Sequence, residues 1–90
     1  MFDLSGQVAI VTGGNGGLGL AFSRGLIKAG CTVAIWGRNP EKNAAAEAEL
    51  KQMGGTAAAF ECDVLDEAQV QTAFDATIEA FGKADICIAN

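Results

Sequence analysis

Apolar positions along the chain alternate between two periods. "QVAIVT" (Gln7 to Thr12), "TVAIWG" (Thr32 to Gly37) and "TAAAFECDV" (Thr56 to Val64) are short runs, apolar at successive positions, as strands covered on both faces must be. "ADICIAN" (Ala84 to Asn90) begins a fourth run of this kind. Between the runs the spacing lengthens to three and four. Leu18, Ala21, Phe22, Gly25, Leu26 and Ala29 predict a helix stripe ended by Gly30. Asn39 then offers an N-cap with Pro40 at the first helical position, opening an Ala- and Glu-rich helix to about Met53, before Gly54 and Gly55. Its apolar face is thin, Ala46, Leu50 and Met53, which predicts a solvent-facing helix. Asp66 with Gln69 three residues on resembles a capping box, and Val70, Ala73, Phe74, Ile78 and Phe81 predict a third helix that closes at Gly82.

The predicted order is β-α-β-α-β-α-β with short connections, no repeat, no low-complexity tract and no linker. Right-handed crossovers between parallel strands then give an α/β fold, a doubly wound parallel sheet with strand order 3-2-1-4. Ligands of such sheets bind beyond the carboxyl ends of the strands, at the switch point between strands 1 and 4.

Composition narrows the partners. Ninety residues with 50% hydrophobic and 19% charged content make one small globular domain. A net charge of −5 repels nucleic acid and anionic membrane surfaces, so any anion must be held locally. Cys31, Cys62 and Cys87 are widely spaced, and without histidine they complete no metal site. They are expected as small buried apolar residues in a reducing compartment. "MFDLSGQ" is no signal peptide and no run approaches a membrane span, so the chain reads as cytoplasmic.

The candidate chemistry lies in "TGGNGGLG" (Thr12 to Gly19), where the first strand meets the first helix. Such a turn leaves unpaired backbone amides aimed at one spot, with the positive end of the helix dipole behind them, and glycines let a diphosphate approach closely. Two registers fit: Gly14, Gly16 and Gly19 satisfy G-x-G-x-x-G, while Thr12, Gly13, Gly17 and Gly19 satisfy T-G-x-x-x-G-x-G. A merely flexible turn is the rival reading. A nucleotide-hydrolysing loop needs Gly-Lys-Ser/Thr, and here Leu20 and Ala21 follow Gly19.

The second register, with "CDV" (Cys62 to Val64) after the third strand and "DICIAN" in the fourth, resembles the N-terminal half of the short-chain dehydrogenase/reductase family, over essentially the whole chain. That resemblance implies that residues 1–90 are the dinucleotide-binding Rossmann portion of an oxidoreductase, which transfers a hydride between a nicotinamide cofactor and a carbonyl or alcohol substrate. It implies that Gly13, Gly17 and Gly19 form the loop under the adenosine diphosphate, that Asn15 and Leu18 line it, and that Gly16 holds the place where some members carry a basic residue marking NADP. Asp63 would accept from the adenine amino group and Val64 would pack on adenine. Asn90 matches an asparagine of the family's N-N-A-G motif, although Ala89 precedes it and the motif's Ala-Gly does not follow. Each role has a plainer counterpart: Asp63 as a turn residue, Asn90 as a partner for buried backbone groups.

Cofactor choice turns on the end of the second strand. An acid there would accept from the ribose 2′-hydroxyl of NAD and repel a 2′-phosphate. "AIWGRN" places Gly37 at that position and Arg38 after it, which favours NADP, with NAD the second choice, unless Arg38 is an ordinary solvated charge. Trp36 is expected to pack.

The family's general acid is a tyrosine in a Tyr-x-x-x-Lys helix, aided by a serine, beyond the fourth strand. This chain contains no tyrosine, so no residue is assigned as catalytic. The fourth strand, apolar on both faces and unaccompanied at an edge, is expected to belong to a longer enzyme truncated here, one that forms homo-oligomers at full length. A non-catalytic dinucleotide-binding module and an inactive fragment are the alternatives.

Overall fold

The computed structural model describes residues 3–90. Its elements run β1 (Val8–Thr12), α1 (Gly17–Lys28), β2 (Thr32–Gly37), α2 (Pro40–Gln52), β3 (Ala57–Glu61), α3 (Glu67–Phe81) and β4 (Ile86–Ile88). All four strands are parallel in the order β3-β2-β1-β4, the order expected from the sequence. In register, Val11 lies beside Ile35 and Ile88, and Trp36 lies between Thr12 and Phe60.

Alternation along the central strands divides the core into two layers. Val11, Val33 and Ile35 point to one face and pack with Ile27 of α1 and with Ala46 and Leu50 of α2. Ile10, Ala34 and Trp36 point to the other and pack with Cys62 and with Ala73 of α3. Helices on both faces are what make successive strand positions apolar. Trp36 is a packing residue with a satisfied polar tip: its Nε1 donates to Thr77 Oγ1 at 3.1 Å, and that hydroxyl donates to Ala73 O at 2.8 Å. The edge strand β4 is tied to β1 by Asp85, whose Oδ2 accepts from the Val8 amide at 2.9 Å. That bond and the Lys83 ammonium 3.1 Å away hold the Asp85 carboxyl below its usual range.

Several expectations are corrected. The buried stripe of α1 is Gly19, Ser23 and Ile27, with Leu20 and Leu26 packed at its sides, not the face through Leu18 and Phe22. Leu18 is 64% exposed and Phe22 43%. The cause is steric, because α1 lies so close to the loop before it that only side chains as small as hydrogen or hydroxymethyl fit beneath its first turns. On α3 the buried residues are Ala73 and Thr77, while Phe74 turns outward. On α2 the buried face includes Asn43 as well as Ala46 and Leu50. β3 ends at Glu61, so Asp63 and Val64 stand in the turn beyond it. Cys31 and Cys62 are buried as expected, and burial raises both thiol pKa values, but Cys87 is exposed on the edge strand. Among the described residues no helix is long and apolar enough to cross a membrane, and no cluster of His, Cys, Asp and Glu could hold a metal ion.

Candidate functional site

The carboxyl ends of β1, β2 and β3 open onto a cleft of about 630 Å³. Its floor is the loop after β1. Gly13 turns there with φ of 66°, its amide donating to Trp36 O at 2.8 Å, and Gly17 opens α1 with φ of 55°. Both dihedrals are left-handed, where a Cβ would be strained. Gly19 meets a different constraint: a Cβ on it would overlap Gly13 O and lie 2.7 Å from Gly13 C. These three positions are those of the T-G-x-x-x-G-x-G register. Gly16 needs no such freedom, since its φ of −175° is extended backbone and a Cβ would meet nothing within 4 Å.

The loop is fastened from below and from the sides. Ser23 Oγ donates to Gly19 O at 3.0 Å. Thr12 Oγ1 accepts from the Asn90 amide at 3.0 Å, joining the ends of β1 and β4 across the switch point. A Cβ on Gly13 would stand 3.2 Å from Asn90 Nδ2, so the Asn90 side chain lies directly against the glycine turn. Asn15 Nδ2 donates to Asn43 Oδ1 of α2 at 2.8 Å.

The N-terminus of α1 is open. Gly16 is its N-cap without any side-chain hydrogen bond, and no acidic residue stands in the first turn. The amides of Gly17, Leu18 and Gly19 have no upstream carbonyl within the helix, and the dipole adds roughly half a positive charge at that end. In α2 and α3 the second and third of these amides are taken: Asn39 Oδ1 accepts from Glu41 and Lys42, and Asp66 Oδ1 from Ala68 and Gln69. The expected reciprocal arm of the Asp66 box is redirected, because Gln69 Oε1 accepts from the Asp63 amide at 2.8 Å and Gln69 Nε2 donates to Asp66 Oδ2 at 3.2 Å.

Of the residues expected in the site, Gly13, Asn15, Arg38, Asp63, Val64 and Asn90 line the cleft together. Gly16, Gly17, Leu18 and Gly19 do not line it; they form the start of α1 beside it, with Gly19 buried beneath Gly13. Asp63 Oδ1 accepts from the Leu65 amide at 3.0 Å, so the turn role is real, and Oδ2 has no protein partner among the described residues. Val64 is 53% exposed and Leu65 89%, an apolar pair at the rim.

Lys42, Trp36 and Asn43 are among the contributors not anticipated. Lys42 lines the cleft with Arg38, and its signal was the Asn39-Pro40 start of α2, which sets residue 42 in a first turn that begins at the end of β2. Trp36 lines the cleft from below. Asn43 is 5% exposed and donates to Gly37 O at 2.9 Å and, more weakly, to Phe60 O at 3.4 Å. A polar residue in an Ala- and Glu-rich helix gives no warning that it is buried.

A family model described as short chain dehydrogenase matches residues 7–90. A probable NADP-dependent mannitol dehydrogenase of Yarrowia lipolytica is 38% identical over 89 residues, which are 99% of this chain and 32% of that protein. Among solved structures, an NADPH-bound short chain oxidoreductase of Pseudomonas aeruginosa with an atypical catalytic centre superposes with a TM-score of 0.93 at 43% identity, over 97% of this chain and 35% of the other. A variant of actinorhodin polyketide ketoreductase with NADPH gives a TM-score of 0.92 at 31% identity, over 100% of this chain and 34% of the other. The chain thus spans about a third of the length of the relatives it matches.

Proposed function

The chain belongs to the short chain dehydrogenase family, and from that premise we propose that residues 1–90 are the NADP(H)-binding unit of an oxidoreductase acting on a carbonyl or alcohol. When bound, a nicotinamide cofactor would donate a hydride to a carbonyl in its reduced form or accept one from an alcohol in its oxidised form. The observation that carries the reading is the open N-terminus of α1 beside a glycine turn in which Gly19 leaves no room for a Cβ. A pyrophosphate needs such a place, because backbone amides can hold it in a chain whose net charge is −5.

The division of labour follows from position. Amides of Gly17, Leu18 and Gly19 donate to the pyrophosphate, Gly13 gives it close approach, and Gly16 and Asn15 border it. The free oxygen of Asp63 accepts from the adenine amino group, and Val64 covers the ring. Asn90 orders the turn through its contact with Gly13 and reaches the cofactor from the far side of the cleft. Arg38 grips a ribose 2′-phosphate, with Lys42 as a second cation on the same rim. Both relatives with NADPH bound and the relative said to be NADP-dependent support this choice over NAD. A general acid is assigned to none of these residues, since the chain has no tyrosine.

Calorimetric titration tests the assignment. A charged hydrogen bond contributes about 1.5–3 kcal/mol, so Arg38→Ala should weaken NADPH about 10- to 100-fold and leave NADH within about threefold. Equal losses for the two would show that Arg38 does not read the phosphate, and an unmodified protein that binds neither would remove the proposed function altogether.

A further inference from the structure

Gly37 ends β2 where an acid would serve NAD, and the structure contains a physical reason why no side chain stands there. A Cβ on Gly37 would overlap Asn15 Nδ2 and Asn43 Oδ1 and lie 3.0 Å from Asn15 Cγ. The two carboxamides fill that volume because they are bonded to each other across it, at 2.8 Å. Their orientation is fixed: Gly37 O and Phe60 O can only accept, so the Asn43 amide nitrogen must face them and its oxygen must face Asn15. Asn43 is buried, and its bonds join the end of β2, the end of β3 and the glycine loop. The cations Arg38 and Lys42 line the same cleft as this clasp.

We propose that Asn43 is a selectivity-determining positioning residue: by holding Asn15 over Gly37 it excludes a side chain at residue 37, so that a phosphorylated ribose is selected by a pair of amides as well as by Arg38. This rests on the cofactor reading above. It differs from it in placing part of the choice on a residue of α2 that touches no cofactor. The clasp and a carboxylate at residue 37 are mutually exclusive. A change to the acid is therefore unproductive until the clasp is released.

The test is a cycle of Gly37→Asp, Asn43→Ala and the double variant, each titrated by calorimetry with 2′,5′-ADP and with 5′-AMP, which carry the adenosine end without nicotinamide. Gly37→Asp alone should weaken both ligands. Adding Asn43→Ala should restore 5′-AMP binding about tenfold over the single variant and leave 2′,5′-ADP weak, since contacting residues couple by such factors. A purely structural role for Asn43 would move both ligands alike. Thermal melts followed by circular dichroism establish that each variant folds, and where Asn43→Ala does not, Asn15→Ala opens the same space from the part-buried side of the clasp and takes its place in the cycle. The proposal fails if Gly37→Asp alone tightens 5′-AMP, or if neither second change restores it. Should the unmodified protein bind neither ligand, the cofactor reading itself falls and the inference with it.

Discussion

The three helices start under the same backbone rules and differ in what meets their first amides. α2 and α3 begin on Asn39 and Asp66, whose side-chain oxygens take two amides each, and an acidic residue follows in the first turn of both. α1 begins on Gly16, with neither a cap nor an acid. The amides at the second and third helical positions are held by a side chain in two helices and left without one in the third. A side-chain cap and an anionic ligand compete for one set of amides, so a helix built to bind gives up the stabilisation its neighbours keep. With Gly16 at the N-cap that loss is only a few tenths of a kcal/mol, because glycine is itself a tolerated capping residue.

The largest effect should come from closing the approach at α1. In Gly19→Ala the new methyl meets the Gly13 backbone, which cannot swing aside as a side chain would. Overpacking of this kind costs about 3 kcal/mol, or roughly 10–20 °C in Tm for a domain of this size. A thermal melt should register that drop, and calorimetry should find NADPH binding abolished. An unchanged Tm would contradict the close approach.

A subtler change sets the two uses of the amides against each other. Gly16→Asp places a carboxylate at the α1 N-cap, where the backbone is already extended and a Cβ has open space. Capping and the dipole together should raise stability by up to about 1 kcal/mol. Competition and repulsion should lower NADPH affinity at least about tenfold. If stability and affinity rise together, the amides of α1 are not the ligand's.

The smallest expected effect belongs to the capped helices. Asp66→Ala should cost about 1 kcal/mol in a denaturant melt, with NADPH affinity changed less than about threefold. Affinity lost in proportion to stability would erase the distinction between α1 and α3.

What the sequence made legible follows the same division. Strand and helix placement came from two periods, since a sheet covered on both faces must be apolar at each position and a helix on one face must not, and strand order came from right-handed crossovers between parallel strands. The glycine turn was legible because left-handed dihedrals at Gly13 and Gly17 demand that residue type. The inward face of α1 was not, because hydrophobicity ranks Leu18 and Phe22 above Gly19 and Ser23, while the space beneath the helix admits only the small pair. Asn43 escaped for the opposite reason: its burial is driven by two carbonyls and a partner amide, which are brought together only by the fold.

The most direct test of the central claim is a two-dimensional amide NMR titration of the 15N-labelled protein with NADPH. The amide signals of Gly17, Leu18 and Gly19 should move most as the complex saturates, while those of Ala68 and Gln69, held by Asp66, should stay in place. Binding measured by calorimetry with those α1 signals unmoved would contradict the account.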